Sequence, residues 1–149
     1  MASALPTFVL DTNGWLDLLV FRDRSLDGFE TAARVGALRI AIDERALEEL
    51  ARVLRYEPLR LSEADALACH AAASALAAHL AIDTPPQLPR CRDPDDQMFL
   101  EIAVTAGADA IISRDAELLR LHRRMQREHG VAIVTPASWR DVATQMSKR

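Results

Sequence analysis

Short β-prone runs, alternating with longer helix-patterned stretches, constrain this chain more than any other feature. The runs are Phe8-Val9-Leu10, Leu38-Arg39-Ile40-Ala41-Ile42, Ala110-Ile111-Ile112 and Val131-Ala132-Ile133-Val134. Short apolar runs bounded by polar residues read as strands, and strands that alternate with helices read as βαβ units in a parallel sheet. Open parallel sheets place their sites outside the carboxyl ends of the strands. The first run stops at Asp11, and the third stops at Ser113 with Asp115 two positions on. Two acids far apart in sequence are therefore expected to meet in one crevice. Clustered carboxylates repel each other, so such a crevice calls for a cation.

Between the strands, Thr12 or Asn13 can cap a short helix through Leu16 and Val20. A second helix is expected from about Asp27 to Val35, stopped by Gly36. Asp43 suits the N-cap of a helix to about Leu54. Ser62-Glu63-Ala64-Asp65 opens a long Ala-rich helix to about Leu80. These two helices are expected to project as a pair with apolar surface to spare. Pro85, Pro86 and Pro89 mark a loop, and Asp93-Pro94 opens a helix ending near Gly107. A helix from Asp115 to about His129 follows, then the last strand. A short terminal helix begins at Pro136, and the tail frays at Lys148-Arg149. No repeat or long linker divides the 149 residues, so a single domain over 1–149 is expected, with its core at about 8–139 and a C-terminal tail at 140–149.

Composition narrows the function classes. Half the residues are hydrophobic, no apolar stretch approaches the ~18 residues that span a bilayer, and the N-terminus lacks a signal-peptide pattern. Two cysteines, Cys69 and Cys91, make neither a disulfide framework nor a Cys-rich metal site, which fits a cytoplasmic protein. A net charge of −4 argues against a broadly basic nucleic-acid binder but leaves room for a basic rim around an acidic site.

Helix phase and capping sort the acids. At about 100° per residue, Leu47, Leu50, Val53 and Leu54 form an apolar face, with Glu49 at its edge and Glu48 nearly opposite. In Arg92-Asp93-Pro94-Asp95-Asp96, capping accounts for Asp93 and partly for Asp95, whereas Asp96 adjoins the apolar set Phe99, Leu100 and Ala103. Asp115 suits either a helix cap or a site. Mg²⁺ and Mn²⁺ take hard oxygen ligands, and one ion, or two about 4 Å apart, can serve phosphodiester hydrolysis.

In this order the motifs resemble the PIN domain, an acidic, metal-dependent nuclease fold. The resemblance rests on Phe-Val-Leu-Asp-Thr-Asn at 8–13, Glu49-Leu50-Ala51-Arg52-Val53-Leu54, and Arg92 to Leu100. It continues through Ala-Gly-Ala-Asp-Ala-Ile-Ile-Ser-Arg-Asp at 106–115, Leu118-Leu119 and Thr135-Pro136. The chain is most similar to small single-domain PIN proteins of the VapC-like kind, toxins of toxin–antitoxin pairs. That resemblance implies a three-layer α/β/α fold with a central parallel sheet of about four to five strands. It also implies Mg²⁺- or Mn²⁺-dependent endoribonuclease activity, with RNA as substrate, a cognate antitoxin as partner and a homodimer as assembly. Carried over by motif, Asp11, Glu49, Asp96 and Asp115 form the catalytic, metal-binding set. Asn13 braces Asp11, Ser113 stands where Thr is common, and Glu117 stands where a further Asp is common. Arg114 replaces a common Gly or Asn, pointing to a phosphate contact or a restrained loop, and Gln97 interrupts an acidic run.

The remaining polar residues are secondary. His70, His79, His122 and His129 lack metal-ligand spacing. Arg120, Arg123, Arg124 and Arg127 read as a solvated helix face, while Arg90, Arg92 and Arg114 are the arginines placed to hold RNA phosphates. Trp15 and Trp139 suit packing roles better than base stacking. Two rivals stand beside the nuclease: a non-catalytic PIN-like module binding RNA or protein, and an Asp-based phosphotransfer domain. The second usually needs a lysine at the site, and the only lysine is Lys148 in the tail.

Overall fold

The structure is a computed structural model that describes residues 5–147, so Lys148 and Arg149, expected to fray, lie outside the described residues. The first half of the chain runs β1 (Thr7–Leu10), α1 (Thr12–Leu19), α2 (Phe29–Arg34), β2 (Arg39–Ile42), α3 (Glu44–Leu54), α4 (Glu63–Leu76) and β3 (Ala78–His79). The second half runs α5 (Gln97–Ala106), β4 (Ala110–Ile112), α6 (Ala116–Leu119), α7 (His122–His129), β5 (Ala132–Val134) and α8 (Trp139–Ser147).

The five strands form one parallel sheet in the order β3-β2-β1-β4-β5, flanked by helices in a three-layer α/β/α arrangement. The first three strands build outward from β1, and the chain then crosses back to add β4 and β5 on the other side. The order therefore reverses between β1 and β4, which pair with Leu10 opposite Ile112. The main crevice of such a sheet lies at that reversal. β1 and β4 are buried along their whole length, as a sheet covered on both faces requires. Phe8, Phe29 and Trp139 stack edge to face at 5.3 and 5.2 Å, and Trp15 is fully buried, so both tryptophans pack the interior.

Three expectations change. The Ala-rich helix stops at Leu76, and Ala78–His79 adds a fifth strand beside β2, continued by Leu80 N–H donating to Ile42 O at 2.9 Å. Ala and His carry little strand signal of their own; pairing with β2 supplies it. The helical pair α3–α4 packs on α1 instead of projecting, with Leu50, Leu54, Ala66 and Ala73 buried. The stretch after Asp115 divides into α6 and α7 where the backbone tightens, Leu121 N–H donating to Leu118 O at 3.0 Å. Among the described residues, no helix is long and apolar enough to cross a membrane.

Candidate active site

Asp11 leaves the end of β1 directly into α1, and its own side chain, not that of Thr12 or Asn13, caps that helix. Its Oδ1 accepts from Gly14 N–H at 2.7 Å. Its Oδ2 accepts from Ser113 Oγ at 2.5 Å, and the whole residue is only 4% exposed. Ser113 follows β4, so the hydrogen bond spans the switch point between β1 and β4. The same Ser113 Oγ accepts from Asp115 N–H at 2.9 Å, and Asp115 in turn caps α6 by accepting from Glu117 N–H at 2.7 Å. One hydroxyl thus joins the two strand-end acids, and Asp115 both caps α6 and lines the cleft.

Asp96 ends a short 3-10 turn, Pro94–Asp96, that leads into α5. Asp93 caps that turn by accepting from Asp95 N–H at 3.0 Å, and both are exposed, whereas Asp96 is half-buried. Glu49 is half-buried and Glu48 exposed, as helix phase requires. Glu49, Asp96, Asp115 and Asn13 line one cleft of about 440 Å³, with Asp11 beneath it.

The electrostatics of this cleft are unbalanced. Burial pushes the Asp11 carboxyl up to about 6, outweighing the opposing bonds from Ser113 and Gly14, and the charges of Asp115 and Asp17 add to the rise. Burial followed by the charges of Asp115, Asp93 and Asp11 pushes Asp96 up to about 7, and Asp96 lies within hydrogen-bonding reach of Asp115. Crowded, partly dehydrated carboxylates that hold protons near neutrality match the needs of a hard divalent cation. Among the described residues, however, no three His, Cys, Asp or Glu side chains converge as a ready-made ligand set. Glu49 is engaged by Arg52 at 2.5 Å. Asp11 keeps a second lone pair on each oxygen beyond its two hydrogen bonds.

The supporting residues distribute unevenly. Ser113 is buried against Asp11. Asn13 is exposed on the cleft wall, and the braces on Asp11 come from Gly14 and Ser113. Glu117 lies between Arg92, at 3.8 Å, and Arg120, at 3.5 Å. The arginines expected at the acids are occupied or elsewhere. Arg114 bridges Asp17 at 3.0 Å and Asp23 at 2.5 Å, which restrains its loop against α1. Arg90 lines a separate groove with Pro85, Pro86 and Leu88.

Residues missed in the sequence also matter here. A Cβ on Gly14 would stand 3.1 Å from Asp11 Oδ1 and 3.4 Å from Ile112 O, so any larger residue would press on the carboxylate by a few tenths of an ångström. Gln97 is buried, accepting from Cys91 N–H at 2.7 Å and donating to Pro89 O at 3.1 Å. That pairing needs an amide, which explains why the acidic run stops there. Phe21, Val53, Tyr56, Leu59 and Phe99 form an apolar wall to the cleft. The sequence offered no periodic signal for Phe21 or Tyr56, because both lie just beyond helix ends.

A five-stranded parallel α/β sheet with carboxylates gathered at its switch point defines a three-layer α/β protein with an acidic cleft. The chain belongs to the PIN domain family: the family's model matches residues 7–117, which include all four of these acids. No curated protein sequence matches it.

Proposed function

We propose that the protein is a divalent-metal-dependent endoribonuclease, the toxin of a toxin–antitoxin pair. The observation that carries this reading is the crowding of Asp11, Asp96 and Asp115 in one cleft, where burial and mutual repulsion lift Asp11 to about 6 and Asp96 to about 7. Membership of a family of nucleases supports the reaction class.

Asp11, Asp96, Asp115 and Glu49 would hold Mg²⁺ or Mn²⁺. When bound, such a cation supplies a lowered pKa for water and offsets charge on a phosphodiester. Ser113 and Gly14 fix the Asp11 carboxylate, so its orientation is set before any ligand arrives. Arg52 holds Glu49 and can pass to an RNA phosphate when Glu49 turns to a cation. A cognate antitoxin would cover the same cleft, and a homodimer is the proposed assembly.

The test is cleavage of RNA with Mn²⁺ by wild type beside Asp11→Asn and Asp96→Asn. Activity lost in both variants is expected; equal activity in all three preparations would mark a contaminant. A second reading, a binding module without turnover, draws on the lack of a converged ligand set among the described residues. Calorimetry separates the two, since a module of that kind would bind RNA or protein without taking up Mn²⁺.

A further inference from the structure

The chain has seven aromatic residues, four Phe, two Trp and one Tyr. Phe8, Trp15, Phe29, Phe99 and Trp139 are buried. The two that are not, Phe21 at 58% and Tyr56 at 64% exposure, both line the acidic cleft. They come from different elements, Phe21 just after α1 and Tyr56 just after α3, so no single helix face explains their sharing one cavity. Leu16, Val53, Pro58 and Leu59 surround them, and Asp96, Asp115 and Glu49 complete the same cavity. Its volume of about 440 Å³ falls within the range of ligand clefts, roughly 300–1,000 Å³.

The geometry points to Phe21 and Tyr56 as a stacking wall for an unpaired RNA base lying next to the phosphodiester held at the acids. This rests on the nuclease reading above and adds the part of the substrate that the wall takes. A flat apolar ring joined to an anionic phosphate satisfies both halves of the cavity: the ring covers the aromatic wall, and the phosphate meets a cation on the carboxylates. An apolar protein side chain alone would fill the wall and leave the acids unmatched, and the antitoxin arm of the test below separates a partner that also brings a cationic group. Base–aromatic stacking is tolerant of sequence, because every base has a π-face. It requires a base free of its own stack, which a duplex does not offer at that position. The wall therefore selects single-stranded segments and leaves sequence preference to other contacts.

The experiment reads binding and cleavage separately, using single-stranded RNA carrying 2-aminopurine, with Mn²⁺ present. Wild type is expected to quench the probe at one position, and the matching duplex is not. Tyr56→Ala and Phe21→Ala are each expected to weaken binding about 10-fold, within the range for loss of one stacked base. Tyr56→Phe keeps the ring and restores affinity. Both positions are exposed, and thermal melting checks that the variants fold. Unchanged affinity and quenching in both Ala variants overturns the wall, as does equal quenching by the duplex or no RNA binding at all. Wild type that binds and quenches but never cuts leaves the wall standing and removes the nuclease reading. Cutting at an unchanged rate by both Ala variants at RNA concentrations well below saturation does the reverse. Ala variants that bind RNA normally but lose a cognate antitoxin make the wall a protein-docking surface and overturn the proposal.

Discussion

Ser113 donates to the carboxylate of one acid and accepts from the backbone of another, so its loss has two consequences. Its bond to Asp11 holds that carboxyl below where burial alone would put it. In Ser113→Ala the Asp11 pKa should rise above its present value of about 6. Metal binding needs the ionised carboxylate, so the pH profile of Mn²⁺ affinity should move to higher pH, measurable by titration calorimetry at several pH values. Asp11→Asn tests the buried charge itself. Asp11 has a raised folded-state pKa, so below about pH 4 both folded and unfolded forms are protonated and nothing is lost. As pH climbs through about 6, ionisation of the folded form costs stability. Without metal, Asp11→Asn should match wild type near pH 4. At pH 8 it should exceed wild type by on the order of 1–3 kcal/mol, read by urea unfolding.

At the scale of the element, α1 matters most, because its first turn and the site share atoms. Asp11 is at once the end of β1, the cap of α1 and the deepest acid of the cleft. Ala ordinarily improves a helix over Gly by about 0.5–1 kcal/mol. In Gly14→Ala that gain meets contacts at 3.1 Å to Asp11 Oδ1, 3.3 Å to Leu10 Cβ and 3.4 Å to Ile112 O. Two of the three belong to paired strands that cannot yield, so the carboxylate must. The expected result is a net destabilisation of about 1–2 kcal/mol by chemical denaturation, together with weaker Mn²⁺ binding. The elements also show where sequence is legible. Phase along α3 separated Glu49 from Glu48, since burial on a helix follows a fixed period. Capping separated Asp96 from Asp93, since the caps answer to local backbone alone. β3 escaped notice because its two residues become a strand only against the edge of β2.

For the whole molecule, the raised pKa values of Asp11 and Asp96 act together. Metal-free protein loses stability from these two groups as pH rises from about 4 to about 7, and the proposed cation, bound to their ionised forms, would return it. Saturating Mn²⁺ at about 100 times its Kd would add ~2.7 kcal/mol. For a chain of this length that corresponds to roughly 5–10 °C in melting temperature at pH 7.5. At pH 5 the shift should be clearly smaller, because protons compete for the same carboxylates. Melting curves with and without Mn²⁺ at the two pH values check this, and an equal shift at both would place the ion elsewhere.

Four of the five strand runs, the caps at Asp43, Ser62 and Asp93, and the phase that sets Glu49 apart from Glu48 are local facts, set by periodicity and by hydrogen bonds within a few residues, and the sequence by itself determined them. What only the tertiary structure decided is who meets whom. The crossing of the chain between β1 and β4 brings Ser113 onto Asp11 across 102 positions. Packing of α1 beside α3 places Phe21 and Tyr56 in the acid cleft. Ion pairing with Asp17 and Asp23 holds Arg114 at α1, while the proline loop carries Arg90 to another groove. Such contacts depend on how layers pack, and no local pattern encodes the charge or ring that will stand opposite.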